Sequence, residues 1–276
     1  MSIINAVILG LVQGIAEFFP ISSSGHLSIL QNLFGLSVAD ESHMFFDVLL
    51  HLGTLFSICL VYRQDLVGMF NDTITFFTIS DSKLREQSRE GTRQALMLVI
   101  STLPLVLVLP FYNQIERLYS YTFFIGLILI LTGCLLYVSD QFLPGKKDGK
   151  NITVLNALII GLCQCVATIP GLSRSATTIT ACLCCGVDRE YAVKYSFLLS
   201  LPAVLGANII SFIKLFNAGI NWAYVPAYLI GTAVALMAGV LSIGALQLIA
   251  KKGAFGQFRY YCWGAGVITI ILTAIL

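Results

Sequence analysis

Residues 13–27 read QGIAEFFPISSSGHL. Gln13 and Glu17 stand four apart in an otherwise apolar run, which puts an amide and a carboxylate on one helix face. Pro20 ends the run, and Ser22, Ser23, Ser24, Gly25 and His26 follow before the chain turns apolar again. The arms on either side of this break, within 3–36, are about 15 residues each, short of the roughly 17–25 that cross a bilayer as a helix. Two half-length helices joined at a polar break predict a re-entrant hairpin. Backbone of that kind is tolerated at membrane depth only where it is buried in protein or lines a wet cavity.

The surrounding chain sets that depth. Of 276 residues, 57% are hydrophobic and 11% charged, with a mean hydropathy of +0.88. Soluble domains carry roughly 25% charged residues, so a single integral membrane domain over 1–276 is expected. Stretches at 44–62, 92–112, 119–139, 190–213, 222–248 and 258–275 are each long enough to span. No basic segment precedes the first apolar run and no small-residue cleavage site follows it, so no cleavable signal peptide is expected. The eight cysteines all fall in apolar segments. They read as small buried hydrophobes rather than as a metal or redox cluster at Cys163, Cys165, Cys182, Cys184 and Cys185.

A second broken region, 152–186, resembles the first. GLVQGIAEFFPISSSG at 10–25 can be laid on GLCQCVATIPGLSRS at 161–175. Gly10, Leu11, Gln13 and Ala16 fall on Gly161, Leu162, Gln164 and Ala167; after one gap, Pro20 and Ser23 fall on Pro170 and Ser173. A weaker echo joins FFDVLLHLG at 45–53 to YSFLLSLPA at 195–203. The predicted fold is therefore an all-α polytopic membrane protein. Six transmembrane helices and two broken re-entrant helical hairpins form an internal repeat, with halves near 1–140 and 151–276. Each half holds one hairpin and three spans, an odd number, so the second copy enters the membrane upside down. In such inverted repeats, polar sites lie where the copies meet near the midplane.

Charge placement gives the orientation. Loops 63–93, 140–151, 187–194 and 249–259 fall on one side under this scheme and hold 13 of the 16 Lys and Arg residues. Arg117 and Lys214 lie on the other side, and Arg174 remains inside. The positive-inside rule makes the first side cytoplasmic. Both termini and hairpin 3–36 then open outward, while hairpin 152–186 enters from the cytoplasm.

Of 14 acidic residues, only Glu17 and Asp47 lie well inside apolar segments, and Arg174 is the one basic residue so placed. Intramembrane ionisable groups are costly and mark functional sites by default, although Glu17 and Arg174 could simply pair to tie the hairpins together. Around them stand Gln13, Ser22, Ser23, Ser24 and His26 from the first hairpin, and Ser173, Ser175, Thr177 and Thr178 from the second. The helices that begin after each break aim free N–H groups and positive dipole ends into this cluster, which favours an anion. Arg174 adds a planar fork suited to phosphate oxygens. Glu17 with Gln13 could supply oxygen ligands to Mg²⁺ or Ca²⁺, the remainder coming from water and phosphate. A diphosphate uses all of these parts at once. Asp47 and His51 form another pair at i,i+4, read either as part of the site or as a helix-face hydrogen bond that packs span 44–62 against the hairpin. Asn156, Gln164 and Gln247 read as polar contacts between helices. No role is assigned to His43.

At these residues the chain resembles the undecaprenyl-diphosphate phosphatase family of bacteria, also called the bacitracin-resistance proteins. Two motifs carry the likeness. One is [E/Q]-x-x-x-E followed by P-[VI]-S-S-[ST]-G-H, here Gln13 to Glu17 and Pro20 to His26. The other is P-G-x-S-R-S-x-x-T, here Pro170 to Thr178. The resemblance covers essentially the whole chain. It implies hydrolysis of undecaprenyl (C55 polyprenyl) diphosphate to the monophosphate and inorganic phosphate, recycling the lipid carrier for peptidoglycan synthesis. It also implies a divalent metal ion, a place in the bacterial plasma membrane, and an active site facing the outer side. Catalytic roles carry over to Glu17, Ser23, His26 and Arg174. The motifs add Ser22, Ser24, Gly25, Gly171, Ser173, Ser175 and Thr178 as substrate-binding residues. Gln13 stands where other members have Glu. The type-2 phosphatidic acid phosphatases also carry an S-G-H segment, but their S-R-x5-H pattern fails here, since Thr180 occupies the histidine position.

The expected reaction is metal-assisted hydrolysis of a phosphoanhydride. Three nucleophiles fit the spacing: Ser23 activated by His26, His26 itself, or a water with His26 as base. The expected partners are the polyprenyl diphosphate lipid and the bilayer, with no nucleic acid; a homodimer is one open assembly. The rival reading is a transporter that flips a polyprenyl phosphate lipid, because half-helices aimed at an anion are also a transporter design.

Overall fold

The computed structural model describes residues 1–35, 41–142, 145–215 and 222–275. Among them the chain forms twelve α-helices and no strand. In order these are α1 (Ile3–Ala16), α2 (Ser23–Leu33), α3 (Glu41–Val61), α4 (Arg63–Thr78), α5 (Ser82–Thr102), α6 (Tyr112–Leu118), α7 (Thr122–Ser139), α8 (Val154–Val166), α9 (Arg174–Cys184), α10 (Arg189–Leu215), α11 (Val225–Lys251) and α12 (Phe258–Ile275).

Six helical segments are long and apolar enough to cross a membrane: Met44–Val61, Ser82–Leu118, Thr122–Ser139, Arg189–Ile213, Val225–Lys251 and Phe255–Ile275. The protein is thus a multi-pass membrane protein, and each of these segments overlaps one expected from the sequence. The second of them is not one regular helix. Pro104 ends α5, because it lacks an N–H and its ring opposes the preceding turn. The chain tightens into 3₁₀ turns over Leu103–Phe111, with Pro110 inside them, before α6 resumes.

The breaks fall where the sequence put them. α1 and α2 have 14 and 11 residues, and α8 and α9 have 13 and 11. At about 1.5 Å per residue the longest arm reaches about 21 Å, against about 30 Å of bilayer hydrocarbon. Pro20 lies in the first turn, and the second turn bends at Gly171, whose φ of +92° would strain any residue with a Cβ. Each second arm starts on a serine cap: the Ser22 hydroxyl accepts from the Gly25 N–H, and that of Ser173 from the Ala176 N–H.

Packing partners recur between the two halves. α1 packs along α11 and α8 along α5; α11 lies on α3 and α5 on α10; α3 crosses α10, and α7 pairs with α12. Matching α1, α2, α3, α5 and α7 to α8, α9, α10, α11 and α12 maps each of these contacts onto another of them or onto itself. Glycines make the close crossings, as small residues do between membrane helices. A Cβ on Gly14 would come within 2.6 Å of the Ala235 carbonyl oxygen on α11. Where α7 meets α12 the fit is reciprocal. A Cβ on Gly126 would lie 3.0 Å from the Gly266 carbonyl oxygen, and one on Gly266 2.7 Å from that of Gly126.

The segment read from sequence as a connecting loop, 63–93, is instead helical: α4 and the first half of α5 form an antiparallel pair. Its sequence is charged enough to look like solvent, but Met69 on α4 and Ser88 and Gly91 on α5 are buried at the contact, and Gly91 lets Asp72 approach closely. Gln247 donates to the Tyr62 hydroxyl between α11 and α3, and Asn156 completes the capping box of α8, while Gln164 is buried with no partner among the described residues. All eight cysteines are free; only Cys182 and Cys262 are buried, so the reading of the whole set as buried hydrophobes holds for those two alone.

Candidate active site

The tips of the two broken helix pairs interlock. α9 reaches the first turn through Ser175, whose hydroxyl donates to the Phe19 carbonyl. A Cβ on Gly25 would stand 3.4 Å from the Gly171 Cα, at ordinary contact distance, so the two tips touch here. α7 braces the second tip: the Thr132 hydroxyl accepts from the Ser173 N–H and donates to the Gly171 carbonyl.

Glu17 lies at the junction, just beyond the last turn of α1, and is buried. Arg174 Nη2 donates to its Oε1 at 2.5 Å. On Oε2 it receives the Ser23 hydroxyl at 2.7 Å and the Gln13 amide Nε2 at 3.1 Å. One carboxylate thus joins α1, the start of α2 and the start of α9. Two polar atoms here are buried with no partner among the described residues: Arg174 Nη1 and Gln13 Oε1. The guanidinium fork therefore uses one prong on Glu17 and holds the other in reserve. Both second arms also aim their helix N-termini at this place, giving it a positive bias beyond that of Arg174.

Ser22 is the sole described non-glycine residue with positive φ, at +70°. Its carbonyl accepts from the His26 N–H at 3.3 Å and from His26 Nδ1 at 2.7 Å, so His26 stabilises a strained turn. The other ring nitrogen, Nε2, lies 2.7 Å from the Tyr261 hydroxyl of α12, and the two rings stack at 5.5 Å. His26 is therefore engaged by Ser22 and Tyr261, while the Ser23 hydroxyl turns to Glu17. The expected Ser23–His26 pair is not the one formed here.

The remaining expected residues divide in two. Ser24 sits 3.5 Å from the Ser22 hydroxyl in the same turn. Ser173 and Ser175 are buried, with hydroxyls 3.1 Å apart. Thr178 is engaged elsewhere: its hydroxyl donates back to the Arg174 carbonyl and meets Ser196 of α10 at 2.6 Å. It anchors the helix that carries Arg174. Thr177 likewise donates to the Ser173 carbonyl.

Tertiary packing adds His51 of α3, whose Nε2 stands 3.9 Å from Glu17 Oε2. Its Nδ1 bonds the Asp47 backbone carbonyl at 2.8 Å, and the Asp47 side chain accepts from Gln31 of α2 at 2.7 Å. The i,i+4 pair does pack α3 against the hairpin, but through the Asp47 backbone on one side and Gln31 on the other. Tyr261 carried no sequence signal, since it stands among other aromatics of α12, 235 positions from the motif it touches.

Among the described residues, no three His, Cys, Asp or Glu side chains converge as a metal-ligand set. Glu17 and the unpartnered Gln13 Oε1 nonetheless offer two adjacent oxygens. That donor set fits a magnesium-type ion, which takes one or two protein ligands and completes its shell with phosphate and water.

The model of the family described as bacitracin resistance protein BacA matches residues 6–268. An undecaprenyl-diphosphatase of Desulforapulum autotrophicum is 38% identical over 276 residues, covering 98% of each chain. An undecaprenyl-diphosphatase of Methanosphaera stadtmanae is 37% identical over 282 residues, covering all of both chains. A protein of Shouchella clausii named undecaprenyl-diphosphatase 1 is 36% identical over 277 residues, covering 98% of this chain and 96% of its own.

Proposed function

The chain belongs to the family of bacitracin resistance protein BacA, and on that premise we propose that it hydrolyses undecaprenyl diphosphate at the junction of the two hairpin tips, recycling the lipid carrier. The observation that carries the reading is the bridge Ser23–Glu17–Arg174. It puts a hydroxyl nucleophile, its base and a phosphate-binding fork around one point, the geometry that phosphoryl transfer asks for.

The Ser23 hydroxyl already donates to Glu17, so the carboxylate is set to take its proton as Oγ attacks the terminal phosphorus. The spare Arg174 Nη1 binds a phosphate oxygen, and the N-termini of α2 and α9 stabilise the charge that develops on the transferring group. Glu17 and Gln13 Oε1 would hold a divalent cation of the Mg²⁺ or Ca²⁺ class, which when bound supplies Lewis-acid neutralisation of phosphate oxygens. Chelator-treated protein is accordingly expected to lose turnover and regain it with Mg²⁺ or Ca²⁺. Gln13→Glu should regain it at lower metal concentration, and an unchanged titration would put Gln13 outside the ligand set.

We infer an inverted-topology repeat from the exchanged helix partners and the glycine crossings, with each short helix pair entering the bilayer as a re-entrant hairpin. The loop charges favour the first hairpin, and with it the active site, opening to the outer side of the plasma membrane. With native cysteines replaced, Ser82→Cys and Asp148→Cys should resist impermeant thiol reagents in intact cells, and Asn113→Cys should be labelled. All three positions are exposed. The reverse pattern would invert the orientation.

The decisive assay is phosphate release from undecaprenyl diphosphate by purified protein in detergent. No second compartment exists there, so a transporter would release none. Release that depends on Ser23, Glu17 and Arg174 is the expected result; folded protein that releases no phosphate would overturn the proposal.

A further inference from the structure

We propose that Arg63 and the groove beside it hold the phosphate of an anionic phospholipid, in the leaflet where α3 ends. The site is remote from the hairpin tips and does not depend on the hydrolytic reading. It lies on an apolar stripe along the outside of the protein. The membrane-crossing segment Met44–Val61 ends two residues before Arg63, and Tyr62 alone separates α3 from α4. Phe56, Leu60, Val67, Phe70, Ile74 and Phe77 are all exposed. With Arg63 between Leu60 and Val67, they succeed one another at alternating steps of 4 and 3 residues, the spacing of a single helix face. The opposite side of α4 is the one that packs on α5, where Met69 is buried and Asp72 meets Gly91.

On α3 the stripe faces lipid, and it runs onto α4 without a step, so lipid covers the first turns of α4 as well. Arg63 interrupts this apolar surface with a single cation. An arginine so placed either reaches water or takes a counter-anion. Among the described residues Arg63 has no ion pair and no hydrogen bond. The nearest acid along the chain, Asp65, is engaged by Lys194 of α10. Arg63 instead borders a groove of about 450 Å³, whose other walls are Leu60, Val61, Gln64 and Val240 of α11.

The chemistry of that groove selects its occupant. A guanidinium fork matches two phosphate oxygens, and the Gln64 amide donates to a third oxygen or to the glycerol esters. Leu60, Val61 and Val240 take the tops of the acyl chains. A soluble anion gains nothing from those apolar walls. A zwitterionic lipid brings a cation of its own beside Arg63. An anionic phospholipid satisfies both the charge and the apolar lining.

Native mass spectrometry of the purified protein tests the site, with phosphatidylglycerol and phosphatidylcholine of the same chains titrated in separate arms. The parent should bind one phosphatidylglycerol about fivefold more tightly than phosphatidylcholine, the effect of one arginine on an anionic lipid surface. Arg63→Gln should bind the two lipids equally. Val240→Trp, which fills the groove and leaves the charge, should also lose the preference; Val240→Phe replaces it if the tryptophan variant unfolds early. Arg63→Gln should keep the parent's unfolding temperature and its phosphate release in detergent, since Arg63 is exposed, unpartnered and outside the active site. A preference that survives Arg63→Gln puts the anion elsewhere, and one that survives filling of the groove reduces it to diffuse surface charge; either overturns the site. Inorganic phosphate that displaces the lipid at equal concentration would make this a soluble-anion site and overturn it too. So would a parent that binds neither lipid there but whose dimer is split by Phe70→Asp, which would give the stripe to a second copy of the chain.

Discussion

Glu17→Gln is expected to lower turnover about 10³-fold, within the range seen when a general base is removed, and to destabilise the protein as well. The two effects have one origin. Both carboxylate oxygens of Glu17 act as acceptors: Oε1 takes Arg174, and Oε2 takes Ser23 and Gln13. Glutamine has the same shape but offers one acceptor and one donor. Whichever way its amide turns, an N–H confronts either the guanidinium or the pair of donors on the other side. A buried donor is left without a partner and Arg174 loses its counter-charge, a loss of about 3 kcal/mol by comparison with broken buried pairs in soluble proteins. Turnover and thermal unfolding in the same detergent separate the two consequences. A variant that unfolds early yet keeps full activity per folded molecule would reduce Glu17 to a tie between hairpins.

That outcome is the alternative already visible in the sequence, where one acidic and one basic residue inside apolar segments could pair for purely structural reasons. The pair does form, but it uses only one prong of Arg174 and shares its carboxylate with Ser23. Much of this site was legible because its residues lie in two short local motifs. Pro20 and Pro170-Gly171 mark the breaks, and i,i+4 spacing puts Gln13 beside Glu17. The caps at Ser22 and Ser173 begin the second arms at fixed offsets. What was not legible depends on approach between distant segments. The sequence left the place of His51 open, because it comes to Glu17 only where α3 packs behind the hairpin, and Tyr261 reaches His26 across 235 positions of chain. The assignment of His26 as partner of Ser23 followed from sequence proximity; the strained backbone at Ser22 recruits that ring instead. In the fold, hydropathy located the spans but not α4, because a helix pair with few apolar contacts and many charges reads as a loop until its partner is known.

Arg174→Lys tests the other half of the bridge with charge held constant. Lysine can keep an ion pair with Glu17, so the protein should fold and unfold nearly as the parent does. It cannot also supply the second, oppositely placed donor that Nη1 provides, because an ammonium is a single point charge while guanidinium is a rigid fork. Arg174 Nη1 is buried and has no partner among the described residues, a costly state for a cationic donor unless a ligand engages it. A diphosphate oxygen is the acceptor that the adjoining helix N-termini would also draw in. Loss of one such donor to a developing phosphoryl charge costs about 10²–10³-fold in kcat in comparable sites. The same loss is expected here at saturating lipid, with an unchanged unfolding temperature. Near-normal kcat would show that charge alone suffices at position 174 and remove the fork from the mechanism. An equal loss in stability and turnover would instead make Arg174 a structural partner of Glu17, leaving the helix N-termini to bind the phosphate.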